Sequence, residues 1–398
     1  MFILLLRSGS CSKLMRLSSL KLINFRNYGQ LELNFNAMIN VFFGANAQGK
    51  TNLLEALYYS AFGLSHRTSR EDELLKFGQE ALAVAVEFYK DEEPHNLRLK
   101  RLQEQGRFKK IILLDGKKTT SKEHYGFLNL VMFSPEDLQI VKGDPALRRR
   151  FLDMEIAQTD PVYYDLLLKY NKSLRQRNRL LKQIREENGP AELLTTWDGE
   201  LAVYGSEILA KRLQNLHKLS LIGQKILNSL TASADAFTIK YQLKGWDDVF
   251  LTADAFLTYG RDYWQDFYRR KLLAGRRKDL LLGYTGVGTH RDDLVFYINE
   301  HDSRSFASQG QQRSCALALK LAQVEYVRQI CGEFPVMLLD DVMSELDEVR
   351  RLQLLKFIDG RVQTFITVND RFLIPDLPKT DYFQVQAGSV QPFTCSIF

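Results

Sequence analysis

A glycine-rich segment at residues 44–51 has the residue types and the spacing that bind the phosphates of a nucleotide. It matches the pattern GxxxxGK followed by Ser or Thr and reads Gly44-Ala45-Asn46-Ala47-Gln48-Gly49-Lys50-Thr51. Small residues let backbone N–H groups surround phosphates, and the N-terminus of a following helix adds partial positive charge. We expect this segment and Asn52 to bind a nucleotide, with the Lys50 ammonium on its β- and γ-phosphates and the Thr51 hydroxyl on Mg²⁺.

A strand before this segment and a helix after it must hold it in place. Residues 39–43, Ile-Asn-Val-Phe-Phe, are apolar except for Asn40, a composition that is typical of a strand buried on both faces. Leu53, Leu54 and Leu57 follow at helical spacing. The order of strand, loop and helix favours a phosphate-binding loop over a chance glycine-rich turn.

Two adjacent carboxylates, Asp340 and Asp341, follow a second apolar run at residues 336–339. The run predicts a strand, and acids at its end are placed for nucleotide hydrolysis. We expect Asp340 to hold Mg²⁺ through water and Asp341 to polarise the attacking water. Taken alone, the two acids could simply cap the next helix, but their pairing with a phosphate loop favours the metal site.

A Ser-Gln-Gly-Gln turn at residues 308–311 precedes a helical pattern and is a second anion-binding device. Two anion sites for one nucleotide indicate that Ser308, Gly310 and Gln311 contact the γ-phosphate held by another subunit. An N-capped surface helix is the alternative interpretation. Residues 344–347, which end in Asp347, are expected along the same subunit interface.

Six basic residues in the middle of the chain are candidates for contacts with DNA phosphates. They are Arg148, Arg149, Arg177, Arg276, Arg277 and Lys278. Acidic residues are interspersed among them, so a solvated charged face is the alternative for each patch.

The composition is that of a globular protein. Of 398 residues, 45% are hydrophobic and 26% are charged, and the net charge of +6 allows nucleic acid without demanding it. The apolar run at residues 2–6 is too short for a membrane span or a secretory signal. Four scattered cysteines predict reduced thiols in a cytoplasmic protein. The short apolar runs and the motifs lead us to expect no membrane partner.

Strand patterns at both ends of the chain enclose a helical middle. Alternating apolar residues over 80–120 predict an antiparallel meander with a hairpin turn at Asp115-Gly116. Helical periodicity follows from residue 163 to about residue 230, and strand patterns resume at residue 294. We predict an N-terminal extension (1–14), one α/β domain split between residues 15–150 and 284–398, and a helical insertion (151–283); the resemblance described next implies that these are an ATPase head and its lid.

Taken together, these motifs resemble the ABC-type ATPase heads of the SMC-like repair proteins, and more narrowly the RecF family. The segments that carry the resemblance are residues 24–28, 46–55, 65–68, 135–138, 148–153, 176–178, 290–293, 308–312, 338–341 and 344–347. The resemblance runs from about residue 15 to the C-terminus. It implies an α/β fold: an ABC-type P-loop head with a mixed sheet and an antiparallel β-subdomain, and an inserted helical lid.

The resemblance also implies a function. Members of this family are ATP- and Mg²⁺-dependent DNA-binding dimers that act on duplex DNA and single-strand/duplex junctions at gaps and stalled forks. With RecO and RecR they help to load RecA onto DNA coated by single-strand-binding protein.

Two positions depart from the pattern of ABC transporters. Asp341 replaces a glutamate, and Asn369 stands where a histidine is usual. An aspartate carboxylate falls roughly 1 Å short, and such a displacement can cost on the order of 10²-fold in rate. We therefore expect a weak, DNA-stimulated ATPase that acts as a switch. A transporter-coupled ABC subunit and a nucleotide-binding scaffold without turnover are the rival interpretations.

Overall fold

The computed structural model describes residues 13–104, 107–187, 189–231, 235–244, 249–251, 254–375 and 379–393. They form two compact units. The first unit contains the residues up to Pro135 and those from Val324 onward, and the second contains Glu136–Gln323.

Elements are numbered in chain order within the described residues. The strands are β1 Lys13–Leu14, β2 Arg16–Phe25, β3 Tyr28–Asn34, β4 Ile39–Phe43, β5 Ala81–Lys90, β6 Glu93–Glu104, β7 Arg107–Leu114, β8 Lys117–Thr119, β9 Leu130–Phe133, β10 Phe237–Leu243, β11 Val249–Leu251, β12 Asp293–Ile298, β13 His301–Asp302, β14 Glu333–Phe334, β15 Val336–Asp340, β16 Thr364–Val368, β17 Thr380–Gln386 and β18 Ser389–Phe393. The α-helices are α1 Lys50–Phe62, α2 Ser121–His124, α3 Pro145–Thr159, α4 Pro161–Glu187, α5 Leu194–Thr231, α6 Asp254–Leu282, α7 Ser303–Phe306, α8 Gln309–Cys331, α9 Val342–Glu345 and α10 Glu348–Ile358.

A mostly parallel sheet in the first unit brings the motifs of the head together. Its order is β18-β17-β4-β16-β15-β9, with β18 antiparallel to β17 and the other pairs parallel. Strands β15 and β16 are buried over their whole length, as in a sheet covered on both faces. The register pairs Asp340 with Thr367, and Val368 with Phe43. The carboxyl ends of β4, β15 and β16 therefore lie at one edge of the sheet.

An antiparallel sheet with the order β3-β2-β5-β6-β7-β8 belongs to the same unit. Leu82, Val84, Val86 and Phe88 alternate on its buried face. The predicted meander and its hairpin turn at residues 115–116 are confirmed. Helix α1 packs against β5 and β6 of this sheet and also contacts β15 and β16 of the parallel sheet, so it connects the two sheets.

Long helices dominate the second unit. Helix α5 packs against both α4 and α6, and α3 packs against α4, α5 and β12. The apolar residues that recur along α4 include Tyr163, Tyr170 and Leu181, which are buried. A small antiparallel sheet with the order β11-β10-β12-β13 completes this unit.

The second unit includes residues 136–150 and 284–323, which the sequence analysis assigned to the head. The reason is local packing, because α3 contacts β12 and β12 pairs with β10. Of the predicted extension, residues 1–12 lie outside the described residues, and residues 13–14 form β1, which pairs with β14. In the part of the chain that the structure describes, no helix is both long enough and apolar enough to span a membrane.

Candidate functional site

The phosphate loop connects β4 to α1 and depends on its glycines. Gly49 has a φ of 114°, in the region that favours glycine. A Cβ atom on Gly44 would lie 2.3 Å from the Val385 carbonyl oxygen, and one on Gly49 would lie 2.5 Å from Asn27 Nδ2. Larger residues at these positions would displace the backbone of the loop.

Two turns of the first unit hold Gln48, at the tip of the loop. Its carbonyl oxygen accepts hydrogen bonds from Asn27 Nδ2 and Gly388 N, each 3.2 Å away. Its side-chain oxygen accepts a bond of 2.7 Å from Ala387 N. The loop is therefore fixed by the β2–β3 turn and by the β17–β18 hairpin.

The Lys50 ammonium lies inside the loop. Nζ donates to the carbonyl oxygens of Gly44 and Ala45 at 2.7 and 2.8 Å, and to Asn369 Oδ1 at 3.0 Å. Burial lowers the pKa of Lys50, while the charges of the two acids that follow β15 act in the opposite direction. A buried cation held by neutral acceptors is suited to an anionic ligand.

The Thr51 hydroxyl meets the Asp340 carboxylate. Thr51 Oγ1 donates to Asp340 Oδ1 at 2.9 Å, and Thr367 Oγ1 donates to the same oxygen at 2.7 Å. Burial raises the pKa of Asp340, and the hydrogen bonds from Thr367 and Thr51 oppose this shift. A buried carboxylate beside a hydroxyl fits Mg²⁺, which takes oxygen ligands and few protein groups. Within the described residues no cluster of three or more His, Cys, Asp or Glu residues could hold a metal ion.

Asp341 immediately precedes α9 and has a left-handed conformation, with a φ of 51°. Ser344 Oγ donates to the carbonyl oxygen of Asp341 at 2.7 Å and to its Oδ1 at 3.2 Å. The backbone N–H of Asp341 donates to Thr367 Oγ1 at 2.9 Å. These bonds hold Asp341 at the same sheet edge as Asp340.

A second group of polar residues supports the first turns of α1. Glu55 is buried, and Arg26 donates to its two carboxylate oxygens at 2.7 and 2.8 Å. Burial alone would raise the pKa of Glu55, but hydrogen bonds from Arg26 and Ser65 outweigh it and lower the pKa. Asn52 accepts from Arg67 Nη1 at 3.0 Å. The segments 24–28 and 65–68 are therefore held against the helix that carries Lys50.

The sequence analysis assigned no role to Thr367 or Glu55, and it noted Asn369 only as the residue that stands where a histidine is usual. Thr367 and Asn369 stand at the end of the strand next to β4, so their position along the sheet was the available signal. Glu55 lies in a segment that carries the family resemblance, but its partners come from other parts of the chain.

The turn at residues 308–311 lies in the second unit and forms a reciprocal cap. Gln311 N donates to Ser308 Oγ at 3.2 Å, and Ser308 N donates to Gln311 Oε1 at 2.9 Å. Gln312 Nε2 anchors the turn through the carbonyl oxygens of Ser303 and Ala307, each 3.0 Å away. This is the geometry of an N-capped helix, and the side chain of Ser308 is exposed to solvent.

Asp347 is exposed at the start of α10 and caps that helix. Its Oδ1 accepts from Arg350 N at 2.9 Å, and its carboxylate also pairs with the Arg350 guanidinium. Leu346 beside it is buried. The cap fixes the position of the carboxylate.

Two of the predicted DNA contacts are wrong, because their guanidinium groups are buried. Arg148 donates to both carboxylate oxygens of Asp293 at 2.8 and 3.0 Å. Arg177 is 0% exposed and donates to Asp198 at 2.6 Å and to Asp279 at 2.7 Å. These arginines bind the second unit together.

Two further candidates are also engaged within the second unit. Arg149 is half-buried and donates to the carbonyl oxygen of Asp292 at 2.7 Å. Arg276 donates to Asp198 Oδ2 at 2.7 Å and to Thr195 Oγ1 at 2.9 Å. Because both arginines donate hydrogen bonds within the second unit, these contacts argue against a role in DNA binding.

The last two candidates, Arg277 and Lys278, are exposed on α6. Their contact with DNA stays a prediction.

A stronger basic surface lies on the antiparallel sheet, where the sequence analysis proposed none. We call it the basic sheet face, and it consists of Arg98, Lys100, Lys109 and Lys118, all exposed. The strand register places Leu113 between Arg98 and Lys118, so these side chains share one face. The available signal was Arg98 and Lys100 alternating with the buried residues Leu97 and Leu99.

Comparisons with known proteins decide the family. The family model described as RecF/RecN/SMC N terminal domain matches residues 16–375. The DNA replication and repair protein RecF of Natranaerobius thermophilus is 42% identical over 355 residues, which cover 89% of this chain and 91% of that protein. The chain belongs to the RecF family. RecF of Streptococcus suis is 40% identical over 381 residues and covers 94% of this chain and 99% of its own length.

Solved structures agree with this RecF assignment. The recombination mediator protein RecF of the RecFOR pathway, solved with ATP, is 35% identical, has a TM-score of 0.86, and covers 98% of this chain and 100% of its own. The Smc head domain of Pyrococcus furiosus is 16% identical with a TM-score of 0.53, at 96% coverage of both chains, and indicates a shared fold. The predictions of RecF membership and of an α/β ABC-type ATPase head are confirmed.

Proposed function

We propose that the protein is an ATP-dependent DNA-binding protein of replication and recombinational repair. It would dimerise on ATP, bind DNA at gaps and stalled forks, and be reset by slow ATP hydrolysis. The observation that carries the proposal is the phosphate loop and the Thr51–Asp340 pair at one edge of the parallel sheet. The description of its RecF relatives as DNA replication and repair proteins supports the process.

ATP with Mg²⁺ is the ligand that this site fits. The backbone of the phosphate loop and the Lys50 ammonium would bind the phosphates, and Thr51 and Asp340 would hold the metal. When bound, Mg²⁺ neutralises charge that develops on the transferred phosphoryl group. The solved RecF structure with ATP supports the choice of nucleotide.

Asp341 is the group that we propose to orient and polarise the attacking water. Its hydrogen bonds to Ser344 and Thr367 hold it in place. Its side chain is one methylene shorter than the glutamate of ABC transporters, so turnover should be slow. A slow ATPase suits a switch whose nucleotide state times the release of DNA.

The proposed dimer places the turn of one protomer against the nucleotide of the other. Ser308, Gly310 and Gln311 begin α8, whose N-terminal N–H groups favour an anion. Asp347 would lie at the same interface. Val349 and Leu352, which are 64% and 44% exposed on α10, add apolar surface beside it, as a protein interface needs.

We propose the basic sheet face as the DNA-binding surface. Exposed Lys and Arg side chains bind phosphates without reading sequence. Helix α1, which carries Lys50 and Thr51, packs against β6, the strand that holds Arg98 and Lys100. Duplex DNA and single-strand/duplex junctions are the expected ligands.

RecO and RecR are the proposed protein partners, and the proposed outcome is the loading of RecA in the cytoplasm. The description of solved RecF as a recombination mediator of the RecFOR pathway supports this step.

A nucleotide-binding scaffold without turnover is the second candidate function. Asp341 and Asn369 favour it, because both replace residues that ABC transporters use for hydrolysis. A sensitive ATPase assay with and without DNA separates the two candidates, since a scaffold would release no phosphate in either condition.

The test of the proposed function is the affinity for duplex DNA with ATP, with ADP and without nucleotide. We expect ATP to strengthen DNA binding by the wild type. Lys50→Ala removes the charge facing the phosphates, so this variant should bind no ATP. Its affinity for DNA should therefore be the same with and without ATP. Lys218→Ala, at an exposed lysine on α5, is the matched control and should respond like the wild type. The proposal fails if ATP leaves DNA affinity unchanged or if Lys50→Ala binds ATP normally.

A further inference from the structure

Helix α6 exposes apolar side chains on the side that faces away from the rest of its unit. Trp264, Tyr268 and Leu272 are buried, and they line the side that packs on α5. On the opposite side Leu273 is 57% exposed and Leu281 is 74% exposed. A helix that covers a core on one side normally carries polar residues on the other. Exposed apolar residues grouped on one surface indicate an interaction site.

Basic residues lie between these leucines. Leu273, Arg277 and Leu281 follow at four-residue spacing, so they share one side of the helix and span about 12 Å. Lys278 is exposed beside them. Tyr284, just beyond the helix, is 42% exposed. We call these five residues the α6 face.

An aromatic–cation contact lies beside the α6 face. The Arg291 guanidinium lies 4.8 Å from the centre of the Tyr284 ring. Asp279, the acid on the helix nearest to these leucines, is buried and pairs with Arg177 at 2.7 Å. Asp266 accepts ion pairs of 2.8 Å from both Arg269 and Arg270. The charge that accompanies the leucines is therefore positive.

We propose that the α6 face is the docking site for a protein partner whose surface presents apolar side chains flanked by aspartates or glutamates. Burial of leucines lowers the free energy of the system, and it requires another apolar surface that removes them from water. Arg277 and Lys278 are placed to pair with carboxylates around that contact. Tyrosine and arginine are also residue types that concentrate binding energy at protein interfaces.

DNA is the rival ligand for this surface, because Arg277 and Lys278 could also meet phosphates. Contacts with the DNA backbone are hydrogen bonds and ion pairs, and Leu273 and Leu281 can form neither. The leucines therefore favour a protein over DNA.

The proposal rests on the proposed function for the identity of the partner, which would be RecO or RecR. The experiment measures the affinity of the full chain with ATP for purified RecO and purified RecR, by biolayer interferometry. Leu281→Ser should weaken the binding of one of them by roughly tenfold or more. Arg277→Glu should weaken it more than Arg277→Gln, because the reversed charge repels the partner's carboxylates.

Matched controls separate a docking surface from general damage. Leu221→Ser removes a leucine that is 54% exposed on α5, and Lys218→Glu reverses an exposed charge on the same helix. Both controls should bind the partner like the wild type. All variants should keep wild-type ATP affinity and thermal melting temperature.

Three results would overturn the proposal. In the first, Leu281→Ser and Arg277→Glu bind RecO and RecR like the wild type. In the second, the same variants lose affinity for DNA while partner binding is intact. In the third, the wild type binds neither protein, and then the partner assignment in the proposed function fails as well. The first two results leave the proposed function standing.

Discussion

The Thr51 hydroxyl lies 2.9 Å from the Asp340 carboxylate although the two residues are 289 positions apart in the chain. The parallel register of β4, β16 and β15 brings them together, because each strand ends at the same edge of the sheet. Thr367, on the strand between them, donates to the same carboxylate oxygen. The pair that we propose to hold Mg²⁺ is thereby assembled from residues that are far apart in the sequence.

The first prediction separates binding from hydrolysis at Asp341. Asp341→Asn keeps the side-chain size but removes the charge that polarises water, so ATP should still bind while turnover falls on the order of 10²-fold. Single-turnover ATP hydrolysis and nucleotide affinity check this. Asp359→Asn, at an exposed aspartate after α10, should change neither quantity. Equal turnover in Asp341→Asn and the wild type would remove Asp341 from the mechanism.

The second prediction concerns Ser308 and the composite site. Ser308→Arg should spare ATP binding and block ATP-dependent dimerisation, but it also removes a helix cap worth about 1 kcal/mol. Ser308→Asp keeps a capping oxygen and places a negative charge where the partner's γ-phosphate should arrive. It should block dimerisation too, as measured by analytical ultracentrifugation.

Asp347 provides a parallel comparison at the proposed interface. Asp347→Lys should impair dimerisation, whereas Asp347→Asn keeps the cap of α10 and removes only the charge. If Ser308→Asp and Asp347→Lys dimerise with ATP like the wild type, the composite-site model is wrong.

The third prediction concerns the basic sheet face. ATP should strengthen duplex binding and steepen its salt dependence, with negligible base-sequence preference, because a dimer presents two copies of the face. The plot of log K against log[salt] has a negative slope, and each phosphate contact contributes about −0.9 to it. The double variant Lys100→Gln, Lys118→Gln should therefore flatten the slope, by about 2 for each protomer that touches DNA.

A double variant of equal charge serves as the control for the basic sheet face. Lys218→Gln with Lys225→Gln removes two exposed lysines from α5 and should leave the salt slope unchanged. Neutralising Arg277 and Lys278 tests the earlier DNA prediction for α6 in the same assay. Equal slopes for the sheet variant and the wild type would exclude this face from DNA binding.

The fourth prediction is a pH dependence of stability. Glu155 is completely buried in α3, and burial raises the pKa of its carboxyl to about 8, against the attraction of Lys320. An unfolded glutamate titrates near pH 4.3. The folded state therefore retains a proton that the unfolded state loses, so the Glu155 contribution to stability falls as pH rises from about 4.5 to 8.

Replacing Glu155 by glutamine should remove this slope. Glu155→Gln should raise the free energy of unfolding at pH 7 by something on the order of 2–3 kcal/mol and have little effect near pH 4.5. Urea unfolding at several pH values measures this, with Glu192→Gln at an exposed position as the control. A Glu155→Gln variant that keeps the wild-type pH slope would contradict the assignment.

Local patterns predicted much of the head from the sequence. The phosphate loop, the strand that ends at Asp340 and the meander over residues 80–120 follow from motif spacing and periodicity. Asn369 as a partner of Lys50 did not follow, because the pairing depends on which strands are neighbours in the sheet. Arg98 and Lys100 were overlooked, although their alternation with buried leucines indicated an exposed face.

Long-range ion pairs in the second unit could not be predicted from the sequence. Arg177 looked like an exposed cation of a charged helix, yet it pairs with Asp279, 102 residues away. Charge and spacing along one helix do not indicate which residues from other elements will bury it. The exposed leucines of α6 likewise became evident only when the other side of the helix was found to be packed.

The mass of the protein in solution tests the central claim most directly. Sedimentation equilibrium should be measured with ATP, with ADP and without nucleotide, at the same protein concentration and with Mg²⁺ present. ATP-driven pairing of two heads predicts a mass close to twice that of the chain with ATP, and the mass of a single chain in the other two conditions. The same mass in all three conditions would contradict an ATP-gated dimer.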